Sequence, residues 1–255
     1  MPSTSTKIKT VTVPPEATHR ATEEFEQETR DAVAEKPELL RLDCSALKMV
    51  VSSHIDLLWM TRTLCLDNAV SLCLFNPPVA LMRILNVLDL VEAFEYEGDN
   101  HQLGQKVDRD SEIVRLPQTF TDTVRANSND IDEGVSRFLA FLGDIRAGAT
   151  TILELRTVYY EIATNIRVHS GISEEDQFLV NSTAEWNQIT LTFTDPGKPF
   201  DSTIVADNLD PFASSRRRQR NGFGLSMVRR LIDSMTYSRN EWSCNVLILI
   251  KKWHR

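Results

Sequence analysis

Hydrophobic residues follow two different periods over the first hundred positions. Residues 7–13 alternate between apolar and polar side chains, while residues 39–43 and 70–75 are short, mainly apolar runs, and we predict a strand at each. Residues 22–34 and 53–66 carry apolar side chains three and four positions apart, a spacing typical of helices. The chain is therefore predicted to alternate between strands and helices.

The predicted helices have inward faces that follow from the same spacing. These faces consist of Phe25, Thr29, Ala32 and Val33 in the first helix, and of Ile55, Leu58, Trp59 and Leu66 in the second. A third helix is predicted from Pro77 and Pro78 to about residue 94, because proline is tolerated in the first turn of a helix. Strands that alternate with helices of this length predict a mainly parallel sheet with helices against it.

A polar, aperiodic stretch over residues 98–112 is the best candidate for a linker. We therefore predict a first domain over residues 1–97 and a second over residues 113–255. Each domain is long enough to bury its own hydrophobic core, and the sequence shows no internal repeat.

The second predicted domain combines strands and helices in a different order. Its expected elements are a strand at 113–116, helices at 130–142 and 152–170, two strands paired around a turn at 185–188, the second of them at 189–193, a lid-like loop at 201–221, a helix at 225–234 and a last strand at 245–251. Thr151 and Glu154 have the spacing of a capping box for the long helix, and Gly171 is expected to end it.

Composition narrows the class of protein. The 255 residues carry a net charge of −8 at pH 7, and this acidic balance argues against broad nucleic-acid binding. No apolar run approaches the length of a membrane span, and the first residues lack the apolar core of a signal peptide. The four cysteines lack metal-ligand spacing and three lie in apolar segments, so we expect reduced, mostly buried thiols in a cytoplasmic protein.

Three short motifs in the second half carry candidate chemistry. Glu161, Asn165 and His169 are spaced four apart, so on a helix they share one face. Asp195-Pro-Gly197 stands at a strand end, and Gly222-Phe-Gly224-Leu225 stands at a helix start. Alone, each motif has an ordinary structural explanation, which is a solvated helix face, a turn or a flexible loop.

Together the motifs supply the parts of one nucleotide site. Asp195 can accept a hydrogen bond from an adenine amino group, and Gly197 lets the purine lie against the backbone. The Gly222-Phe-Gly224 segment exposes backbone N–H groups to phosphates at a helix start. Asn165 offers a neutral oxygen to Mg²⁺, and Glu161, one turn earlier, can take a proton from an attacking hydroxyl group.

The densest basic run lies just before the second glycine motif. Arg218 and Arg220 are nearest to the glycines and are candidates for phosphate contact. Arg216 and Arg217 fit a solvated segment of the lid-like loop better. A nucleic-acid patch is the weakest interpretation of this run in an acidic chain.

The motifs resemble those of the histidine-kinase-like ATPase superfamily. Glu161-x-x-x-Asn165 is similar to its asparagine box, Asp195-x-Gly197-x-Pro199-Phe200 to its first glycine box, and Gly222-x-Gly224-Leu225 to its second. The resemblance covers about residues 113–255. It implies an α/β sandwich that binds ATP and Mg²⁺, with a mixed sheet covered by helices on one face.

Within that superfamily, the compact size and His169 at the end of the long helix most resemble the anti-sigma factor serine kinases. This resemblance implies that Glu161 is the general base, that Asn165 binds Mg²⁺ and that Arg220 lies near the phosphates. A sensor histidine kinase fits less well, because His54 and His101 do not lie in a dimerisation helix with a phosphoacceptor histidine.

Residues 7–97 resemble a STAS domain, the fold of anti-anti-sigma factors. Residues 51–54 read Val-Ser-Ser-His, where that family usually has Asp-Ser-Ser/Thr-Gly and is phosphorylated on the second hydroxyl. The phosphoacceptor implied here is Ser53, with Ser52 as a second candidate. Val51 and His54 depart from the pattern, and the usual first strand has no counterpart before residue 7. Helix capping is the alternative role for both serines.

Two functions follow from these resemblances. The first is an ATP-dependent protein serine/threonine kinase that phosphorylates a STAS-type partner, or its own Ser53, in a partner-switching pathway that controls transcription or signalling. The second is a non-catalytic, ATP-gated module that sequesters a sigma factor or signalling partner. Contact between the two domains of one chain and a homodimer are both open, and neither function needs direct binding to nucleic acid or membrane.

Overall fold

The computed structural model describes residues 7–98, 117–204 and 223–253. The chain divides into two compact units, and each unit has its own sheet. The boundaries 1–97, 98–112 and 113–255 stay a prediction, because most of the predicted linker lies outside the described residues.

The first unit is a parallel sheet built from alternating strands and helices. Its elements are β1 (Ile8–Thr12), α1 (His19–Ala34), β2 (Leu39–Asp43), α2 (Ser52–Asp67), β3 (Ser71–Phe75), α3 (Val79–Val87), a 3-10 turn (Val91–Ala93) and β4 (Glu95–Glu97). The strand order is β1-β2-β3-β4, and all three pairings are parallel. The mainly parallel sheet predicted from the alternating pattern is confirmed.

The inward faces of α1 and α2 follow the predicted spacing with one exception. All four predicted residues of α1 are buried. In α2 the predicted Ile55, Leu58 and Trp59 are buried, but Leu66 is 60% exposed. Cys65 takes the inward position instead, at 1% exposure, since it lies seven residues after Leu58 and so continues its stripe.

The third helix ends earlier than the prediction of residue 94. It stops at Val87, and Asp89 follows with a φ of 58°, which turns the chain out of the helix. The apolar residues that extended the predicted helix, Leu88, Leu90 and Phe94, are buried within the turns that follow. Their spacing was compatible with a helix although the backbone is not helical. The short strand β4 follows and was not predicted.

The second unit is an antiparallel sheet with helices. Its elements are β5 (Gln118–Arg125), α4 (Ser128–Asp144), α5 (Ala149–His169), β6 (Gln177–Ala184), β7 (Gln188–Asp195), a 3-10 turn (Ser202–Ile204), α6 (Phe223–Leu231), β8 (Ser234–Arg239) and β9 (Asn245–Lys252). The strand order is β5-β6-β7-β9-β8. Every pairing between described strands of this sheet is antiparallel, where the resemblance implied a mixed sheet, and the predicted combination of a sheet with helices in each unit is confirmed.

The core of the second unit lies on one face of this sheet. Buried residues alternate with partly exposed ones along β6 and β7, as expected when only one face is covered. Tyr159 of α5 packs its ring edge against Phe193 of β7, with ring centroids 5.4 Å apart, and stacks on Phe138 of α4 at 5.2 Å. This aromatic cluster fixes α5 against the strand that carries Asp195 at its end.

Several element boundaries in the second unit differ from the prediction. Gly148 is the N-cap of α5, so Thr151 lies inside the helix and the predicted capping box is wrong. Glu154 is instead paired with Lys251, with Nζ and Oε2 2.8 Å apart, because the buried carboxylate lies against β9. Ser170 and Gly171 end the helix as predicted, with Gly171 at a φ of 72°.

Three further differences concern strands. Residues 113–116, a predicted strand, lie outside the described residues. Two strands with few apolar residues, β5 and β8, were missed. The predicted helix over residues 225–234 ends at Leu231, because Ser234 already pairs with Ile250 as the first residue of β8.

The four cysteines are all reduced in the structure. Cys44, Cys65 and Cys73 are buried and Cys244 is half-buried, as the sequence predicts. No helix among the described residues is long and apolar enough to cross a membrane. The same residues hold no group of three or more histidine, cysteine or acidic side chains that could bind a metal ion.

Candidate functional site

A pocket lies where the C-terminal half of α5 meets the neighbouring ends of β7 and β9 and the start of α6. It holds about 420 Å³ of space outside the atoms, part of it open to solvent. We call it the polar pocket, after the six polar residues among those that line it: Asn165, Ser170, Asp195, Ser202, Tyr237 and Asn245. Apolar side chains, including Ile162 and Phe193, form the rest of its wall.

The structure brings three of the predicted site residues together at this pocket. Asn165 from α5, Asp195 from the end of β7 and Leu225 from α6 all line it. They lie 30 or more positions apart in the sequence, so the fold itself assembles the site. Their roles remain those proposed from the sequence.

The three polar residues that share one face of α5 become more exposed towards the end of the helix. Glu161 is only 4% exposed, Asn165 is half-buried and His169 is exposed. Glu161 is not among the described residues that line the polar pocket. The helix therefore presents Asn165 to the pocket and holds Glu161 one turn deeper.

Asn165 has unused hydrogen-bonding capacity at the pocket wall. Its Nδ2 atom is buried and has no hydrogen-bond partner among the described residues. A buried amide without a partner costs free energy, and such groups are usually satisfied by water or ligand. The amide of Asn165 could donate to a phosphate oxygen and offer its own oxygen to a hydrated cation, so its chemistry fits Mg²⁺ carried by a nucleotide.

Asp195 is a buried carboxylate with one oxygen already occupied. Its side chain is 6% exposed, and Oδ1 accepts from the Gly197 backbone N–H at 2.9 Å and from the Asn245 amide at 3.0 Å. No other described residue bonds to this carboxylate. The second oxygen, Oδ2, is thus available to a ligand in the pocket.

Gly197 is required by close packing against the end of α5. A Cβ atom at this position would lie 2.4 Å from Ser170 Cβ and 2.7 Å from Ser170 O. The next backbone N–H, from Lys198, donates to that same Ser170 carbonyl at 2.8 Å. The glycine therefore lets the turn after β7 close against the end of α5, a reason that the sequence pattern did not reveal.

The sequence analysis missed four polar residues that line the polar pocket: Ser170, Ser202, Tyr237 on β8 and Asn245 on β9. Asn245 bonds to Asp195, and its own oxygen accepts from Tyr237 Oη at 2.8 Å and from Arg239 Nη1 at 3.1 Å. One signal could have identified Asn245. Residues 245, 247 and 249 point to the same face of β9, and Leu247 and Leu249 are buried. The strand pattern therefore predicts that Asn245 is a polar side chain on the core face.

The segment after the first glycine motif is tied to both flanking helices. Phe200 lines the polar pocket, and its ring stacks on His169 at the end of α5 with centroids 6.2 Å apart. Asp201 Oδ1 accepts from the backbone N–H and the hydroxyl of Thr203. Thr203 O in turn accepts from Arg229 Nη1 of α6 at 2.7 Å. Residues 205–221 of the predicted lid-like loop lie outside the described residues.

The start of α6 carries the described part of the second glycine motif. Gly224 and Leu225 lie in its first turn, where backbone N–H groups have no partner within the helix and can bind an anion. Gly222 and Arg220, the other predicted phosphate contacts, lie outside the described residues. The far end of α6 is held by Lys251, whose Nζ donates to Leu231 O at 2.7 Å.

The serines predicted as phosphoacceptors lie in the first unit, at the start of α2. Val51 is the N-cap, so Ser52 and Ser53 occupy the first two helical positions and the capping role considered for them is wrong. Ser53 is exposed, whereas Ser52 is half-buried. The Ser53 side chain is therefore accessible at the start of α2.

His54 provides the cap that the serines do not. Valine has no side-chain acceptor, and His54 Nδ1 instead accepts from the Val51 backbone N–H at 3.2 Å. Nε2 lies 3.2 Å from Pro14 O, which can only accept, so Nε2 carries the proton and the ring is neutral. Burial at 1% exposure lowers the pKa of His54 to about 4, against a small opposing effect of the Pro14 hydrogen bond.

Comparison with known proteins agrees with this geometry. Residues 124–251, about half of the chain, match the family model of the histidine kinase-like ATPase domain. No curated protein sequence matches significantly.

Two solved structures show a distant likeness. The SiaB–SiaC complex from Pseudomonas aeruginosa matches with 18% identity and a TM-score of 0.41, over 51% of this chain and 88% of the other. The RsbU and RsbW domains of a Mycobacterium tuberculosis protein match with 14% identity and a TM-score of 0.39, over 52% of this chain and 31% of the other.

Proposed function

This chain belongs to the histidine kinase-like ATPase family, and we propose that it is a protein serine/threonine kinase that binds Mg-ATP in the polar pocket. Its substrate would be a STAS-type protein or its own Ser53, in a partner-switching pathway that controls transcription or signalling. The observation that carries the proposal is the meeting of Asn165, with its unpaired buried amide, and Asp195, with its one available oxygen, in a single pocket.

In this proposal each residue contacts a different part of the nucleotide. Asp195 Oδ2 accepts from the amino group of adenine, and Leu225 contacts the nucleotide at the start of α6. Gly224, with Gly222 and Arg220 from outside the described residues, binds the phosphates. Asn165 binds Mg²⁺, which would neutralise charge on the phosphate oxygens during transfer.

The chemical step is transfer of the terminal phosphoryl group to a hydroxyl. The substrate oxygen forms a bond to the terminal phosphorus, the bond between that phosphorus and the bridging oxygen breaks, and ADP leaves. Glu161 takes the hydroxyl proton. Because Glu161 is 4% exposed and does not line the polar pocket among the described residues, its carboxylate must turn towards the pocket before it can accept the proton of a substrate hydroxyl.

The decisive test separates ATP binding from transfer. We expect Glu161→Gln to bind Mg-ATP with an affinity within about twofold of wild type and to lose phosphotransfer by on the order of a hundredfold or more, because only the proton acceptor is removed. Calorimetry measures binding and radiolabelled phosphate measures transfer. Glu175→Gln is the matched control, since Glu175 is exposed outside the polar pocket. Wild-type transfer by the Glu161→Gln protein would refute the assigned base.

A second function is favoured by the burial of Glu161 and its absence from the described pocket lining. The chain would then be a non-catalytic, ATP-gated module that sequesters a sigma factor or signalling partner. ATP binding with no transfer by wild type, towards a STAS-type protein or within the chain, would support this function over the kinase. Capture of the partner that does not depend on ATP in wild type and Asn165→Ala would contradict ATP gating.

A further inference from the structure

Asn245 and Asp195 face each other directly across two neighbouring strands. Asp195 is the last residue of β7 and pairs in register with Asn245, the first residue of β9. Both side chains are buried, at 6% and 5% exposure, and both line the polar pocket. The pair therefore forms one buried unit in the wall of the pocket.

The orientation of the Asn245 amide is fixed by its neighbours. One end lies 3.1 Å from Arg239 Nη1, which can only donate, so that end must be the oxygen. The other end lies 3.0 Å from Asp195 Oδ1 and 2.9 Å from Lys198 O, which both accept, so that end must be the amino group. Tyr237 donates to the oxygen at 2.8 Å and strengthens this orientation.

This orientation uses up the hydrogen bonds of the amide and of one carboxylate oxygen. The two N–H groups of Asn245 are both engaged, by Asp195 and Lys198. Asp195 Oδ1 already accepts twice, from Asn245 and from the Gly197 N–H. Among the described contacts, the Asp195–Asn245 pair thus offers the acceptor Asp195 Oδ2 and no free donor from Asn245.

A single acceptor distinguishes between purines. One of the two N–H groups of a 6-amino group can donate to Oδ2 and needs no second partner from the Asp195–Asn245 pair. Guanine would need a donor for its 6-carbonyl oxygen, and it engages a carboxylate best through both oxygens with its N1–H and 2-amino groups. We infer that Asn245 is a positioning residue that holds the Asp195 carboxylate for a purine carrying a 6-amino group, an inference that rests on the proposed nucleotide site.

The test compares ATP with two analogues that differ only at the base. Purine riboside triphosphate lacks the 6-amino group, and GTP replaces it with a carbonyl. We expect Asn245→Ala to weaken ATP binding by about tenfold, the effect of one lost buried hydrogen bond. Binding of purine riboside triphosphate should change by less than about twofold, because it makes no contact with Oδ2, and the preference for ATP over GTP should fall.

Tyr237→Phe is a milder second variant. It removes one of the two bonds to the Asn245 oxygen, so it should shift the ratio of ATP to purine riboside triphosphate affinity in the same direction by a few-fold. It decides the question if Asn245→Ala does not fold. Asn181→Ala is the control, because Asn181 bonds to Thr121 on β5 and does not line the polar pocket.

The outcomes separate this inference from the proposed function. If wild type binds none of the three nucleotides, both are wrong. If wild type prefers ATP and Asn245→Ala loses affinity equally for ATP and purine riboside triphosphate, Asn245 supports only the structure and the positioning role is wrong. An unchanged ratio in both variants contradicts the inference while leaving the ATP site intact.

Discussion

Gly197 shows how a single missing side chain can bring two parts of a site together. The turn after β7 approaches the end of α5 so closely that a Cβ atom would overlap with Ser170, including its backbone oxygen. In the same turn the Gly197 N–H donates to Asp195 Oδ1. One backbone conformation therefore sets both the contact with Ser170 and the position of the Asp195 carboxylate.

Replacing Gly197 with alanine should therefore harm both stability and the site. We expect a loss of about 1–3 kcal/mol in the free energy of unfolding, because a backbone atom cannot move aside as a flexible side chain can. ATP affinity should fall as the turn shifts Asp195. Denaturant unfolding and calorimetry measure the two effects.

Gly143→Ala is a matched control within the same unit. A Cβ atom at that exposed position in α4 meets nothing within 4 Å, and alanine favours a helix. This variant should be neutral or stabilised by up to about 1 kcal/mol. If both substitutions change the free energy of unfolding and the ATP affinity equally, the contact between Gly197 and Ser170 does not determine stability or the position of Asp195.

At the scale of elements, the start of α2 is set by a neutral histidine. His54 accepts the Val51 N–H and is protonated on the nitrogen facing Pro14 O, so a second proton would remove the cap. Its pKa is lowered by burial to about 4 in the folded protein, from 6.5 when exposed. The unfolded chain therefore binds more protons than the folded chain between these two pH values.

Stability should fall as pH drops through that window. The lowered pKa means that the His54 contribution is complete above pH 6.5 and is lost towards pH 4, by about 3 kcal/mol in total. Urea unfolding of wild type and His54→Gln at pH 7 and pH 4.5 measures the difference. The glutamine variant should lose this part of the pH dependence, whereas His19→Gln, at an exposed position, should keep it. Identical pH dependence in wild type and His54→Gln would contradict this assignment.

The elements that the sequence predicted well are those with a strong apolar period. The boundaries of β2 and the buried face of α1 matched, because each is decided by burial within one element. The missed strands β4, β5 and β8 are all edge strands of their sheets. An edge strand pairs on one side only, so its sequence can remain polar, as Glu-Tyr-Glu in β4 does.

In the candidate site, too, residues in local motifs were predicted and residues whose role depends on strand pairing were not. Asn165 and Asp195 were identified because each lies in a short local motif, and the fold brings both to one pocket. Asn245 was not identified because its role depends on the register of β7 against β9, fifty positions apart. Gly197 was identified for its motif, but its contact with Ser170 depends on packing that no local pattern encodes.

At the scale of the whole molecule, the chain carries a proposed kinase site and a proposed acceptor in separate units. Ser53 is exposed at the second position of α2, where a helix N-terminus tolerates added negative charge. Joining an enzyme to its substrate in one chain raises their effective concentration for transfer within that chain.

We therefore expect incubation with Mg-ATP to add one phosphate to the full chain, and Ser53→Ala to prevent it. Intact-mass spectrometry detects the modification, and Ser52→Ala is the matched control that should still be modified. A rate that does not depend on protein concentration would indicate transfer within one chain or within a stable dimer, and a rate that rises with concentration would indicate transfer between separate chains. Phosphate on the Ser53→Ala protein at the wild-type level would rule out this acceptor.

The distribution of thiols gives the protein a natural attachment point for a reporter dye. All four cysteines lie in the described ranges, and burial raises the pKa of Cys44 to about 12 and of Cys65 to about 11, which keeps both unreactive. Cys73 is also buried, and only Cys244 is half-exposed. Because Cys244 immediately precedes Asn245, a maleimide fluorophore at this position would report on occupancy of the pocket without any engineered cysteine.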